Sequence, residues 1–149
     1  MSNELVIGCL ERIRERITEN IRTSGEWASG ETAKSMRIEE TDTGGILYGR
    51  PGFDNLEEGS AGAPRKYPYN FKDIIAKWMD AKGIAPSGDR ERYKMAASIA
   101  WFIRKNGTLL YRAGGRDDIY SNVIEEEVAA LKRKLVESTI QTINNLLKN

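Results

Sequence analysis

The sequence predicts an α+β protein: a small antiparallel β-sheet packed with long N- and C-terminal helices and two or more shorter helices. Three observations carry this. Apolar residues recur at helical spacing near both ends of the chain. Near residue 36 the pattern switches to alternation, and a Gly-Gly turn leads into a second short apolar run. The 149 residues, with 40% apolar and 30% charged content, are the size and composition of one globular domain spanning 1–149.

From Asn3 to about Ser24, Val6, Leu10, Ile13, Ile17 and Ile21 step by four, three, four and four, which draws one stripe along a helix. Glu11 stands three positions before Arg14 and Glu15 three after Arg12, and Gly25 supplies the stop. In Lys34–Glu40, Met36 and Ile38 alternate with polar neighbours, as a half-buried strand requires. Asp42-Thr-Gly-Gly45 reads as a turn and Ile46–Arg50 as the returning strand, which together make a hairpin. A helical turn is expected at Phe53–Glu58, ended by Gly59. Gly59–Tyr69, with two prolines and two glycines and no period, is a loop.

Asn70 is placed to cap a helix running through Ile74, Ile75 and Trp78 to Lys82, with Gly83 as its stop. Asp89–Asn106 repeats the helical pattern through Tyr93, Ala96, Ala97, Ala100, Trp101 and Ile103, which assigns Trp101 to the core, and Gly107 ends it. In Thr108–Tyr120, Gly114 and Gly115 weaken any helix, so an extended excursion or loop is expected. From Ser121 to Leu147, Ile124, Val128, Leu131, Leu135, Thr139, Ile143 and Leu146 predict the second long helix. Glu125–Glu127 fall in its first turns, where the helix dipole favours acid.

Composition narrows the chemistry. The chain has no histidine, so histidine-based triads and the commonest zinc ligand are excluded. Its one cysteine, Cys9, sits on the first helix without an activating neighbour in sequence and reads as a packing residue. Asp42, Glu57, Glu58, Asp117 and Asp118, with Lys66 or Lys105 as helper, are the candidates for acid-only metal chemistry, and their spacing matches no metal or sugar site. Neither glycine pair lies in a phosphate-loop context. No catalytic, cofactor or metal site is assigned, and the expectation is a protein that is not an enzyme. No apolar run reaches the roughly 18 residues of a membrane span, and the charged N-terminus is not a signal peptide, so no membrane is expected.

A net charge of +1 hides a segregation. Residues 1–64 hold 7 Lys/Arg against 12 Asp/Glu, residues 65–116 hold 12 against 4, and residues 117–149 hold 4 against 6. The basic middle segment, with Arg90, Arg92, Lys94, Arg104, Lys105, Arg112 and Arg116 interleaved with Tyr93, Trp101 and Tyr111, fits either nucleic-acid phosphate or the acidic surface of another copy.

The order of motifs adds a resemblance. Ser29-Gly-Glu-Thr-Ala-Lys-Ser35 leads into Ser35-Met-Arg-Ile; Leu47-Tyr-Gly-Arg50 follows; Leu56-Glu-Glu-Gly59 precedes the Gly/Pro-rich loop. Trp78-Met-Asp-Ala-Lys-Gly-Ile84 ends a helix, and Ile99-Ala-Trp-Phe-Ile-Arg-Lys-Asn-Gly-Thr108 is followed by Tyr111-Arg-Ala-Gly-Gly-Arg116 and Asp118-Ile-Tyr120. Over roughly residues 29–120 this order resembles the small head-to-tail joining, neck and tail-completion proteins of tailed bacteriophages. Asp54-Asn-Leu-Glu-Glu58 departs from that pattern in being more acidic. The resemblance implies a non-enzymatic structural virion protein, assembled in the host cytoplasm. Its expected state is a homo-oligomeric ring of six or twelve copies that contacts portal, neck or tail-tube proteins and passes DNA through its channel. The candidate subunit contacts are Arg50, Glu57, Glu58, Arg112, Gly114, Gly115, Arg116, Asp118 and Tyr120. The alternative expectation is a small nucleic-acid-binding regulator that uses residues 65–116.

Overall fold

The computed structural model describes residues 2–63 and 67–148, so the part of the expected loop at 64–66, with Lys66, lies outside the described residues. The elements run α1 (Ser2–Thr23), α2 (Glu31–Lys34), β1 (Arg37–Thr41), β2 (Gly44–Tyr48), α3 (Asn55–Glu58), α4 (Phe71–Ala81), α5 (Asp89–Asn106), α6 (Leu109–Arg112) and α7 (Ser121–Leu147). The fold is α+β, mostly helical with one two-stranded antiparallel sheet among the described residues. The chain, expected as one domain, falls into two compact units. One comprises Met1–Ser24, Thr32–Arg50 and Asp117–Asn149; the other comprises Gly25–Glu31 and Pro51–Arg116.

In the first unit α1 is the central element. Cys9, Ile13, Ile17 and Ile21 are buried, four residues apart, along the side where α7 packs with Ile119 and Val123 buried. Each such isoleucine contributes roughly 1.5–3 kcal/mol by leaving water. The two helices run antiparallel. Asn20 of α1 donates to the Ile119 carbonyl at 3.0 Å, while Arg12 and Arg16 reach Glu127 further along α7, each at 3.0 Å. The other side of α1 meets the hairpin, whose register pairs Arg37 with Tyr48 and Thr41 with Gly44.

That register corrects the predicted turn. The two-residue loop is Asp42–Thr43, and Gly44 and Gly45 belong to β2. The reason is close approach: a Cβ on Gly45 would stand 2.7 Å from Ile7 Cδ1 and 2.9 Å from Leu10 Cδ1. Gly45 seats α1 on the sheet. The strand start is corrected too. Lys34 closes the short helix α2, and the chain enters β1 only after two tight turns, Ser35 N–H to the Thr32 carbonyl and Met36 N–H to the Ala33 carbonyl, both 3.3 Å. Ser35 Oγ then accepts the Arg50 N–H at 3.1 Å, which ties the two ends of the hairpin.

In the second unit α4 and α5 pack as a helical hairpin around Ile75, Ala76, Met79, Ala96 and Ala100, with Phe71, Ile99 and Ile103 against them. The predicted stop after α4 is present as a pair of bonds, Gly83 N–H to the Asp80 carbonyl at 3.1 Å and Ile84 N–H to the Met79 carbonyl at 2.9 Å. The expected cap at Asn70 works through its backbone: its side chain makes no cap bond, and its carbonyl accepts from Asp73 N–H at 2.9 Å. Arg92 of α5 grips both oxygens of Asp80, with Nε at 2.8 Å from one of them, and holds that carboxyl below the usual range.

Trp101 departs from expectation. It is 61% exposed, because the buried face of α5 is the stripe Ala96–Ala100, and one further residue turns about 100° around the helix. Small side chains let α4 approach closely, and the aromatic residues are left on the outer side.

Candidate subunit-contact surface

The nine sequence-derived candidates divide between the units. Glu57, Glu58, Arg112, Gly114, Gly115 and Arg116 lie in the second; Arg50, Asp118 and Tyr120 lie in the first.

In the second unit, Thr108–Arg116 is not an extended arm. Thr108 caps α6 by accepting from Tyr111 N–H, and it exchanges two bonds with Ser60: its N–H donates to the Ser60 carbonyl at 2.9 Å, and its Oγ1 accepts from Ser60 N–H at 3.0 Å. Arg116 N–H donates to the Glu57 carbonyl at 2.8 Å. Two glycines let these backbones meet. A Cβ on Gly59 would be 2.4 Å from Tyr111 N, and one on Gly115 would be 2.8 Å from the Glu57 oxygen. Both have positive φ, so the segment folds back on α3 at positions where other residues are strained.

This settles where the side chains are. Glu57 is buried, at 3% exposure, and so departs from the expectation of a carboxylate presented to a neighbouring subunit. Glu58 and Gly114 are exposed. Arg116 has an acid within its own unit, Glu26, at 3.7 Å. Arg112 is exposed, with its guanidinium 4.8 Å from the Phe102 ring centre. In the first unit Arg50 and Asp118 are exposed, while Tyr120 is half-buried and its carbonyl accepts the Ile124 N–H as α7 begins.

The larger feature of this surface was assigned elsewhere by sequence reasoning. Trp101, Phe102, Leu109 and Tyr111 are all exposed on α5 and α6, and a shallow open hollow is lined by Ala97, Ser98, Trp101 and Phe102. Cations sit over its rings: Lys105 Nζ lies 5.0 Å from Trp101, beside the Arg112–Phe102 contact. The signal that finds this face is the alanine pair, which marks the side of α5 that packs closely.

Arg12, Arg16 and Glu127 form a charged cluster in the first unit, where Arg16 also reaches Glu126 at 2.6 Å. Burial pushes the Glu127 carboxyl up, but hydrogen bonds from both arginines outweigh it and leave the group below its usual range. The Cys9 thiol beside it, 3.5 Å from the Glu127 carbonyl oxygen, is pushed up by burial and so disfavours the thiolate. This cluster clamps two helices. Among the described residues no three His, Cys, Asp or Glu are arranged to hold a metal ion, and no helix is long and apolar enough to cross a membrane. No protein-family model matches the chain, and neither a curated protein nor a solved structure does.

Proposed function

We propose that the chain is a non-enzymatic structural subunit of a tailed-phage particle, a ring-forming component of the neck, head-to-tail connector or tail-completion complex. It assembles in the host cytoplasm and ends in the virion. One observation supports this most: the second unit leaves Trp101, Phe102, Leu109 and Tyr111 exposed on α5 and α6, apolar area that binding to another subunit would remove from water. The ordered motifs over residues 29–120 supply the phage context. Its partners are further copies of itself and portal, neck or tail-tube proteins, and the basic excess of residues 65–116 fits a channel that passes DNA without reading it.

Light scattering on the size-fractionated chain, with negative-stain imaging, tests this reading. A closed oligomer of about six or more copies is the expected result. The second reading, a small nucleic-acid-binding regulator, is favoured by the cations stacked on the exposed Trp101 and Phe102 rings. A stable monomer or dimer that binds DNA with steep salt dependence decides for it and against the ring.

A further inference from the structure

The second half of α7 has a job that its own unit does not fill. From Thr139 to Lys148 every residue is exposed. Arg12 and Arg16 of α1 hold this helix near its start, at Glu127. Yet Val136, Ile140, Ile143 and Leu147 stand exposed at steps of four, three and four, with Leu146 beside them. This is the spacing of a two-helix seam. The flanks agree. From Val136 to Leu147 the helix carries one charged residue, Glu137, among Ser138, Thr139, Gln141, Thr142, Asn144 and Asn145. A helix face meant for permanent solvation is ordinarily charged.

We propose that this segment pairs antiparallel with the same segment of a second copy of the chain. Continuing the seam one step toward the N-terminus brings in Arg133, exposed and flanked by Lys132 and Lys134. A parallel pair sets Arg133 against Arg133, a direct like-charge contact. An antiparallel pair sets Ile140 against Ile143 and Val136 against Leu147. It also separates the two Lys132–Lys134 runs and carries each to the C-terminal end of the partner helix, where the one like charge is Lys148 and the dipole and last carbonyls favour cations. Charge therefore selects the arrangement. The area is adequate: five side chains at 50% to 79% exposure leave roughly 500 Å² per copy, about 1,000 Å² for the pair, the lower bound for a specific interface. The seam does not depend on the ring reading.

The test uses the full chain. Sedimentation over a range of concentrations compares it with the double variant Ile140→Lys, Ile143→Lys. The wild type is expected to pair through the seam and the variant to lose that step, with the variant's helical circular dichroism retained because both positions are exposed and with the concentration dependence of the thermal midpoint lost along with the pair. In a second arm Ile140→Cys and Ile143→Cys are mixed and oxidised. Mixed 140–143 disulfides are expected to dominate; same-site disulfides would indicate a parallel pair and overturn the proposed arrangement. A large oligomer unaffected by the double variant keeps the ring and removes the seam. A dimer abolished by it keeps the seam and removes the ring. A wild type that stays monomeric at every concentration, including one that binds neutral lipid vesicles through this stripe, overturns the seam.

Discussion

Helices α1 and α5 have similar lengths, 22 and 18 residues, yet they bury opposite kinds of side chain. α1 hides Ile13, Ile17 and Ile21. α5 hides Ala96 and Ala100 and leaves Tyr93, Trp101 and Phe102 outside. In the first case bulk fills the space between elements, and burial of that bulk holds the unit together. In the second the absence of bulk brings α4 and α5 close, and the bulk is free to meet something else. A helical period identifies a stripe; side-chain volume decides whether that stripe is the packed one.

Four substitutions sharpen this contrast. The largest effect is expected from Ile17→Ala, which leaves a cavity beneath α7 and costs about 2–5 kcal/mol in denaturant unfolding. Ala100→Leu tests the opposite limit: overpacking where α4 approaches costs about 1–3 kcal/mol, with a matching loss of thermal midpoint. Both values fall toward zero if the packing is loose.

Glu127→Gln comes next, at about 1 kcal/mol near neutral pH, since two charge-assisted bonds become weaker ones. Its pH dependence has a defined sign. The folded carboxyl lies below its unfolded value, so its contribution is complete above the ordinary carboxylate range and is lost as pH falls through the lower, folded value. Unfolding curves of wild type and variant are therefore expected to converge in acid. A gap that stays constant down to pH 3 contradicts the clamp.

The smallest effect belongs to Trp101→Ala, within about 0.5 kcal/mol of wild type in stability despite the loss of the largest side chain type. Its consequence is expected in assembly or, on the second reading, in DNA affinity. A loss of several kcal/mol in unfolding would place this residue in a core.

Much of the fold is legible in the sequence. Gly25, Gly59, Gly83 and Gly107 each follow a helix within two residues, as their stop role requires, and α7 has the bounds that its apolar repeat predicts. What failed shares a cause. Gly44 and Gly45 look like turn residues locally and are strand residues, Gly45 where α1 crosses closely. Gly115 looks like slack in a loop and is a point where two backbones touch. Each depends on an element far away in sequence, and local pattern carries no record of that neighbour. The candidate contacts show the same limit. The burial of Glu57 and the pairing of Arg116 with Glu26 come from chain reversals that no spacing rule contains, whereas exposed Arg112 and Asp118 stand on the surface that their charge predicts.

The two hydrogen bonds between Thr108 and Ser60, with the Arg116–Glu57 hydrogen bond beside them, also carry an expectation about the order of events during folding. These partners lie 48 and 59 residues apart in sequence, so joining them in an open chain carries a loop-closure entropy cost. The α4–α5 hairpin occupies the intervening stretch, and its contacts are comparatively local. Once it forms, the two strands of backbone need to close only a short remaining gap. The glycine-lined junction is then expected to act as a late latch on a hairpin already made, and pulsed hydrogen exchange should find it the last part of its unit to gain protection during refolding and the first to lose it on opening.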